Sequence, residues 1–228
     1  HNDIRIDNYY WLNDREDPEV INYLKEENEY TREQLKTTEK LQKDLFTEMK
    51  SRIKEDDESV PYKFNHYWYV TKYVKGAEYP VYSRKKESLD AGEEVMFDVN
   101  EMAKGHKFYQ LGGISVSPDN RLACFSTDTV GRRIYTIRIK NLETGEIYSD
   151  QLENTTGNIV WAGDNKTLFY SVQDPQTLRS SQIFKHKLGT SQEEDILIYE
   201  EEDETFSVYV TQTKSRKYIV IATGSTVS

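Results

Sequence analysis

Two hydrophobic periods divide the chain, and the change between them falls near Glu55–Ser59. Ahead of it the pattern is helical. Val20, Leu24 and Leu35 supply one apolar stripe, with the charged run KEENE on the opposite face. Leu41, Leu45, Met49 and Ile53 then recur every fourth position, and Phe46 widens that stripe. Asp17 followed by Pro18 marks the first helix start. Aspartate accepts an orphan N–H there, and proline at the first helical position has no N–H to leave unpaired. Glu19 adds a carboxylate beside the positive end of the helix dipole. The run KEDDES, residues 54–59, offers no apolar face and ends the helical pattern.

After Pro61 the period becomes two. Runs such as YKFNHYWYVTKYV, RLACFSTD, RIYTIRIKNL, TLFYSVQ and KYIVIATG are rich in Tyr, Val, Ile, Thr and Phe. SPDNR, ETGE, AGDNK and TKSRK separate them, which predicts antiparallel strands joined by tight turns. The strands also repeat: Asp119-Asn120 falls on Asp164-Asn165, about 45 residues later, and a third start follows at VYVTQTKSRKYIVIAT. Tyr62 to Val99 reads as a further, more divergent unit. Each unit supplies four strands, a sheet that cannot cover both its faces, so the stable arrangement is radial. The predicted fold is therefore mainly β. It is a partial β-propeller of about three four-stranded blades plus the opening strands of another, preceded by an N-terminal helical segment. Residues 1–57 form the helical part and 58–228 the first blades, with Ser228 falling just after a strand, as if in mid-ring.

The chain has 228 residues, and 30 Lys+Arg against 40 Asp+Glu give a net charge of −10. That balance argues against nucleic acid, whose phosphates need a cationic face, and favours cationic partners. Cys124 stands alone, so no disulfide can form within the chain; set in LACFS, it reads as a small buried side chain. A reducing, cytoplasmic setting fits. The start at His1 rather than Met leaves room for a removed leader and a periplasmic location. No apolar run approaches the roughly 20 residues that span a bilayer.

Catalytic motifs are missing: there is no G-x-S-x-G elbow, no H-E-x-x-H and no pair of C-x-x-C motifs. GGISVSPD lacks the Lys-Ser/Thr of a phosphate loop, so Gly112 and Gly113 read as a turn into a strand. His1, His66, His106 and His186 lack ligand spacing, and no metal or cofactor is expected. Asn154 and Asn165 head sequons of a kind common by chance. Glu200 to Glu204 read as a solvated loop between blades, with attraction of a basic peptide as the alternative. Asp128, Arg132 and Arg133, in DTVGRRIY, form the most distinctive polar cluster. It reads either as a turn with exposed charges or as a rim constellation for ion pairing with another domain. Tyr9, Tyr10 and Trp11 are either a stacking platform for a ligand or a strap pinning the chain to something larger.

The R-x-D-x-Y-x-W-L opening, the Asp-Pro-Glu-Val helix with YL-x-x-EN-x-Y-T, EYPVYSRKK, and the long stretches from SPDNRLACF and LIYEEEDETF resemble the prolyl oligopeptidase family of serine peptidases. Within it they resemble the basic-specific branch, the oligopeptidases B or protease II. The resemblance covers essentially the whole chain. It implies a seven-bladed propeller that caps the active site of a C-terminal α/β-hydrolase domain, with the N-terminal segment packed on that domain. Tyr9, Tyr10 and Trp11 would then be the strap, and the nucleophilic Ser, Asp and His would lie in the C-terminal domain. This chain would be inert by itself. The parent would cleave short basic peptides after Arg or Lys, with the propeller selecting by size. A proline-specific relative and an independent interaction propeller are the alternatives; the second is disfavoured because Gly-His and Trp-Asp dipeptides are absent. Apolar surfaces left open on a part-propeller would also lead the chain to self-associate.

Overall fold

A computed structural model of the chain describes residues 4–226. Its contacts divide it into two units, His1–Lys54 and Glu55–Ser228. The division falls three residues before the boundary predicted at 57/58, because Asp57 and Glu58 already pair with Tyr73 and Lys72 in the first sheet.

In the N-terminal unit, α1 spans Pro18–Leu35 and α2 Glu39–Ser51, joined by a single 3-10 turn at Lys36–Thr38. The Asp17 side chain caps α1, accepting from the Glu19 N–H at 2.8 Å, with Pro18 in the first helical position. Among the described residues of this unit only Val20 is buried.

The second unit is built from antiparallel strands. β1 (Asp57–Glu58), β2 (Tyr62–Phe64), β3 (Tyr67–Tyr73), β4 (Val81–Lys86) and β5 (Glu93–Asp98) make the first blade; β1 and β2 share β3 as partner. The next sheet runs in strict sequence order through β6 (Gln110–Val116), β7 (Leu122–Asp128), β8 (Tyr135–Asn141), β9 (Ile147–Trp161), β10 (Thr167–Gln173), β11 (Ser180–Lys187) and β12 (Ile196–Glu200). It holds two blades that share β9. Ile147 to Leu152 pair with β8 as the outer strand of the second blade, whereas Ile159 to Trp161 pair with β10 as the inner strand of the third. The corner between them is turned by Asn154 (φ 57°) and Gly157 (φ 82°), both in the left-handed region. β13 (Ser207–Gln212) and β14 (Ile219–Gly224) open a fourth blade. The structure is thus the partial propeller read from the repeat.

Alternation along the inner strands makes the interfaces between blades. On β7, Ala123 and Phe125 join Tyr67, Tyr69 and Phe97 of the first blade, while Leu122 and Cys124 face Ile159, Trp161 and Leu168 of the third. Val160 turns the other way, onto Val208 and Val210. Every residue of β7 is buried, as expected of a strand packed on both faces. Cys124 is among them, and burial, with the charge of Asp150 behind it, pushes its thiol well up and out of reactivity. One expectation is corrected. Gly112 and Gly113 lie inside β6, not in a turn before it. A side chain at Gly113 would come within 2.5 Å of the Gly157 carbonyl oxygen, so glycine here permits two inner strands to approach closely.

Candidate functional site

The DTVGRRIY turn follows β7 and is organised by Asp128. One carboxylate oxygen accepts from the Val130 and Gly131 N–H groups at 2.8 and 2.9 Å, the other from Arg133 N–H at 2.7 Å. The side chain is buried, so it holds the turn and is not offered outward as an ionic partner. Arg132 and Arg133 are the exposed members. Gly131 takes φ 86° and Arg133 φ 59°, and the Arg133 carbonyl accepts from Gln173 of the third blade. The turn therefore fixes two guanidiniums on the propeller's surface at a joint between blades.

Burial alone would raise the Asp128 carboxyl, but four backbone N–H groups together hold it below its ordinary value. Asp164 is held low in the same way, by the Thr167 hydroxyl and the Lys166 and Thr167 amides against the cost of burial. Carboxyls whose folded values are depressed add stability above the ordinary carboxylate range, near pH 4, and lose it as pH falls through their folded values. Urea midpoints should therefore fall between pH 5 and pH 3. Asp128→Asn should flatten that dependence, and an unchanged slope would contradict it.

In the N-terminal unit, Tyr10–Asn13 form a 3-10 turn. Tyr9 and Tyr10 are about seven-tenths exposed, at 72% and 70%, whereas Trp11 packs edge-on against Tyr23 of α1 at 5.8 Å. The three aromatics are thus presented from a turn braced on α1. Leu41, Leu45, Phe46 and Met49 are exposed and form an apolar face along α2; the helix ends at Ser51, so Ile53, expected to continue the stripe, lies exposed in the bend beyond it.

The structure also brings together residues that no spacing announced. His186, on β11, is wholly buried between two carboxylates. Its Nδ1 lies 2.7 Å from Asp195 Oδ1 and its Nε2 3.0 Å from Asp150 Oδ1. Asp195 also accepts from the Tyr170 hydroxyl at 2.7 Å, and Asp150 from the Gly189 N–H. Burial and the bond to Asp195 push the Tyr170 phenol far up, keeping it a donor. Each ring nitrogen lies within hydrogen-bond distance of one carboxylate, so the cluster is a buried network whose members bond to one another inside the sheet. One signal was present in QIFKHKL: Phe184, His186 and Leu188 share the alternation phase of the core. His66 lies exposed beside Glu87, and His106 packs against Tyr109; His1 is outside the described residues. Among the described residues no group of His, Cys, Asp and Glu could hold a metal ion, and no helix is long and apolar enough to cross a membrane.

Two other motifs find local explanations. The carbonyls of Glu201, Asp203 and Phe206 all accept from the Arg179 guanidinium, so the acidic run is the β12–β13 connection wrapped around one arginine. Asn165 accepts from the Asp119 N–H at 2.9 Å, tying the turn of one blade to that of the blade before it.

The whole chain, residues 1–228, matches the family of prolyl oligopeptidase N-terminal β-propeller domains. A dipeptidyl aminopeptidase BI of Pseudoxanthomonas mexicana is 42% identical, the match covering 100% of this chain and 34% of that protein. Protease 2 of Moraxella lacunata is 33% identical, over 99% of this chain and 34% of its own length. The solved oligopeptidase B of Leishmania major aligns with a TM-score of 0.90 at 34% identity, covering 96% of this chain and 32% of that one. Oligopeptidase B of Trypanosoma brucei, closed around covalently bound antipain, gives 0.88 at 30% identity, covering 96% of this chain and 31% of that one. The chain spans about a third of the length of the relatives it matches.

Proposed function

Because the chain belongs to the prolyl oligopeptidase family, as its N-terminal β-propeller part, we propose that it is the non-catalytic gate of a serine peptidase that cleaves short peptides after Arg or Lys. The observation that carries the proposal is the exposed apolar face of α2, Leu41 to Met49, in a chain with no nucleophile motif. Such a face requires a partner, and a C-terminal α/β-hydrolase domain of the same protein is the partner proposed. Tyr9, Tyr10 and Trp11 would strap onto that domain, and the outward guanidiniums of Arg132 and Arg133 would face it. The catalytic serine, its base and the oxyanion donors would all lie there. The propeller would exclude folded proteins by size, and a net charge of −10 favours cationic peptides in the encounter.

This chain alone should not turn over an Arg-containing fluorogenic peptide; turnover abolished by a serine-directed inhibitor would refute that. The full-length protein should cut short peptides after Arg or Lys and spare folded proteins. A digest with cuts after proline would move the assignment to the proline-specific branch. The 42% identity to a protein named dipeptidyl aminopeptidase BI favours one second reading, release of dipeptides, which the same digest would reveal.

A further inference from the structure

Four hairpin turns occupy equivalent places between the first two strands of successive blades and enter the left-handed region, at Asn65 and His66 in the first and at Asn120, Asn165 and Arg216 in the others. Asparagine tolerates that backbone well; arginine does so less readily. The asparagines use their side chains to join blades: Asn65 donates to Pro118 O and Asn120 Oδ1, and Asn165 accepts from Asp119. Arg216 departs from this. Its guanidinium lies over the ring of Phe64, 4.0 Å from the centroid, and makes no hydrogen bond or ion pair among the described residues. In a chain with ten more acidic than basic side chains, a half-buried arginine without a carboxylate is conspicuous.

Two cavities lie on either side of this stack, one lined by Phe64 and the other by Arg216. One, of about 300 Å³, lies between the first and second blades, walled by Tyr62, Phe64, Tyr69, Tyr82 and Met96. The other, of about 220 Å³, is walled by Pro118, Ile159 and Trp161 on one side and by Thr211, Gln212 and Arg216 itself on the other. Val116 lines both. In the first, Tyr69 is 7% exposed and Tyr62 stacks on its ring at 5.3 Å; its hydroxyl makes no hydrogen bond of good geometry, although the Arg84 guanidinium lies close enough to lower the phenol against the effect of burial. A buried hydroxyl left without a partner costs free energy that a ligand atom can restore.

We propose that these neighbouring cavities bind the C-terminal end of a peptide. Its last side chain, apolar or aromatic, enters the Tyr62–Tyr69–Tyr82 cavity, and its terminal carboxylate pairs with Arg216. The chemistry follows from the walls. Aromatic faces and a methionine accept an apolar group, the Tyr69 hydroxyl gains a partner on the bound peptide, and the free guanidinium matches a carboxylate bidentately. The choice of a peptide as ligand rests on the peptidase reading given above. The site would hold a peptide by its tail on the propeller while the rest of its length reached the catalytic domain.

The test is calorimetric titration of this chain, which needs no catalysis and so separates the site from the peptidase assignment. The probes are N-acetyl-Ala-Ala-Phe with a free carboxylate and the same peptide as its C-terminal amide. The acid should bind about tenfold more tightly than the amide, the effect of one charge-assisted pair. Arg216→Gln should abolish that preference, leaving acid and amide equally weak. Tyr69→Phe should weaken both alike. Equal binding of acid and amide by the native chain, an unchanged preference in Arg216→Gln, or no binding of either peptide would overturn the proposal. None of these outcomes would bear on which bond the parent cleaves.

Discussion

Replacing His186 with leucine should destabilise the propeller unit by about 2–5 kcal/mol, because two buried carboxylate oxygens each lose a hydrogen-bond partner. The ring is fully buried, and both carboxylates it joins are all but inaccessible. Leucine is close in volume but donates nothing. Asp150 would keep the Gly189 N–H and Asp195 the Tyr170 hydroxyl, yet each would lose its bond to the ring. The network joins β9, β10 and β11 to the turn before β12, so its loss should loosen the outer part of the third blade first. Urea denaturation of wild type and His186→Leu measures the cost, and a loss below 1 kcal/mol would show that water or rearrangement rescues the carboxylates. A second comparison separates missing donors from lost packing. Changing Asp150 and Asp195 to asparagine in the His186→Leu background removes the carboxylates that lost their partner and should recover part of the loss. No recovery would place the cost in packing alone.

The blades were legible because their determinants are local and repeated. Asp119-Asn120 and Asp164-Asn165 mark the same turn twice, and alternation in LACFSTD and TLFYSVQ separates residues facing the preceding blade from those facing the next. The shared strand β9 was less legible. Nothing in GEIYSDQLENTTGNIVW marks where one blade ends, since Asn154 and Gly157 turn the corner without breaking the hydrogen-bonded run. Gly112 and Gly113 were misread because a glycine that admits a neighbouring backbone looks, in sequence, like a glycine that makes a turn. Asp128 was found as a notable residue but given an outward role. Its burial depends on three amides of its own turn converging on it, which residue types alone do not show. The His186 network stayed hidden for a different reason. Its members lie 9 and 36 positions apart, and only the sheet brings them together.

The helical unit carries the last expectation. Leu41, Leu45, Phe46, Met49 and Ile53 are between 46% and 66% exposed, and Leu24, Tyr30 and Leu35 of α1 add further open apolar surface. Two helices of 18 and 13 residues gain little from their own hydrogen bonds and depend on burying a face. Full coverage of a Leu, Ile, Phe or Met side chain is worth about 1.5–3 kcal/mol, so covering this stripe would supply several kcal/mol. In the full-length protein the proposed cover is the hydrolase domain; in this chain alone, another copy would take its place. Among the described residues β14 pairs only with β13, and its other edge, with Val220 also exposed, offers a second route to association. The double variant Leu45→Asp/Met49→Asp separates the two. Light scattering over a dilution series should show the native chain associating at tens of micromolar and the variant monomeric. In the full-length protein the same pair of charges would be buried at the docking face, so thermal unfolding should begin several degrees lower and activity should fall with loosened closure. If the variant still associates, the β14 edge is the contact. If the full-length variant melts like wild type, α2 does not dock where its apolar face indicates.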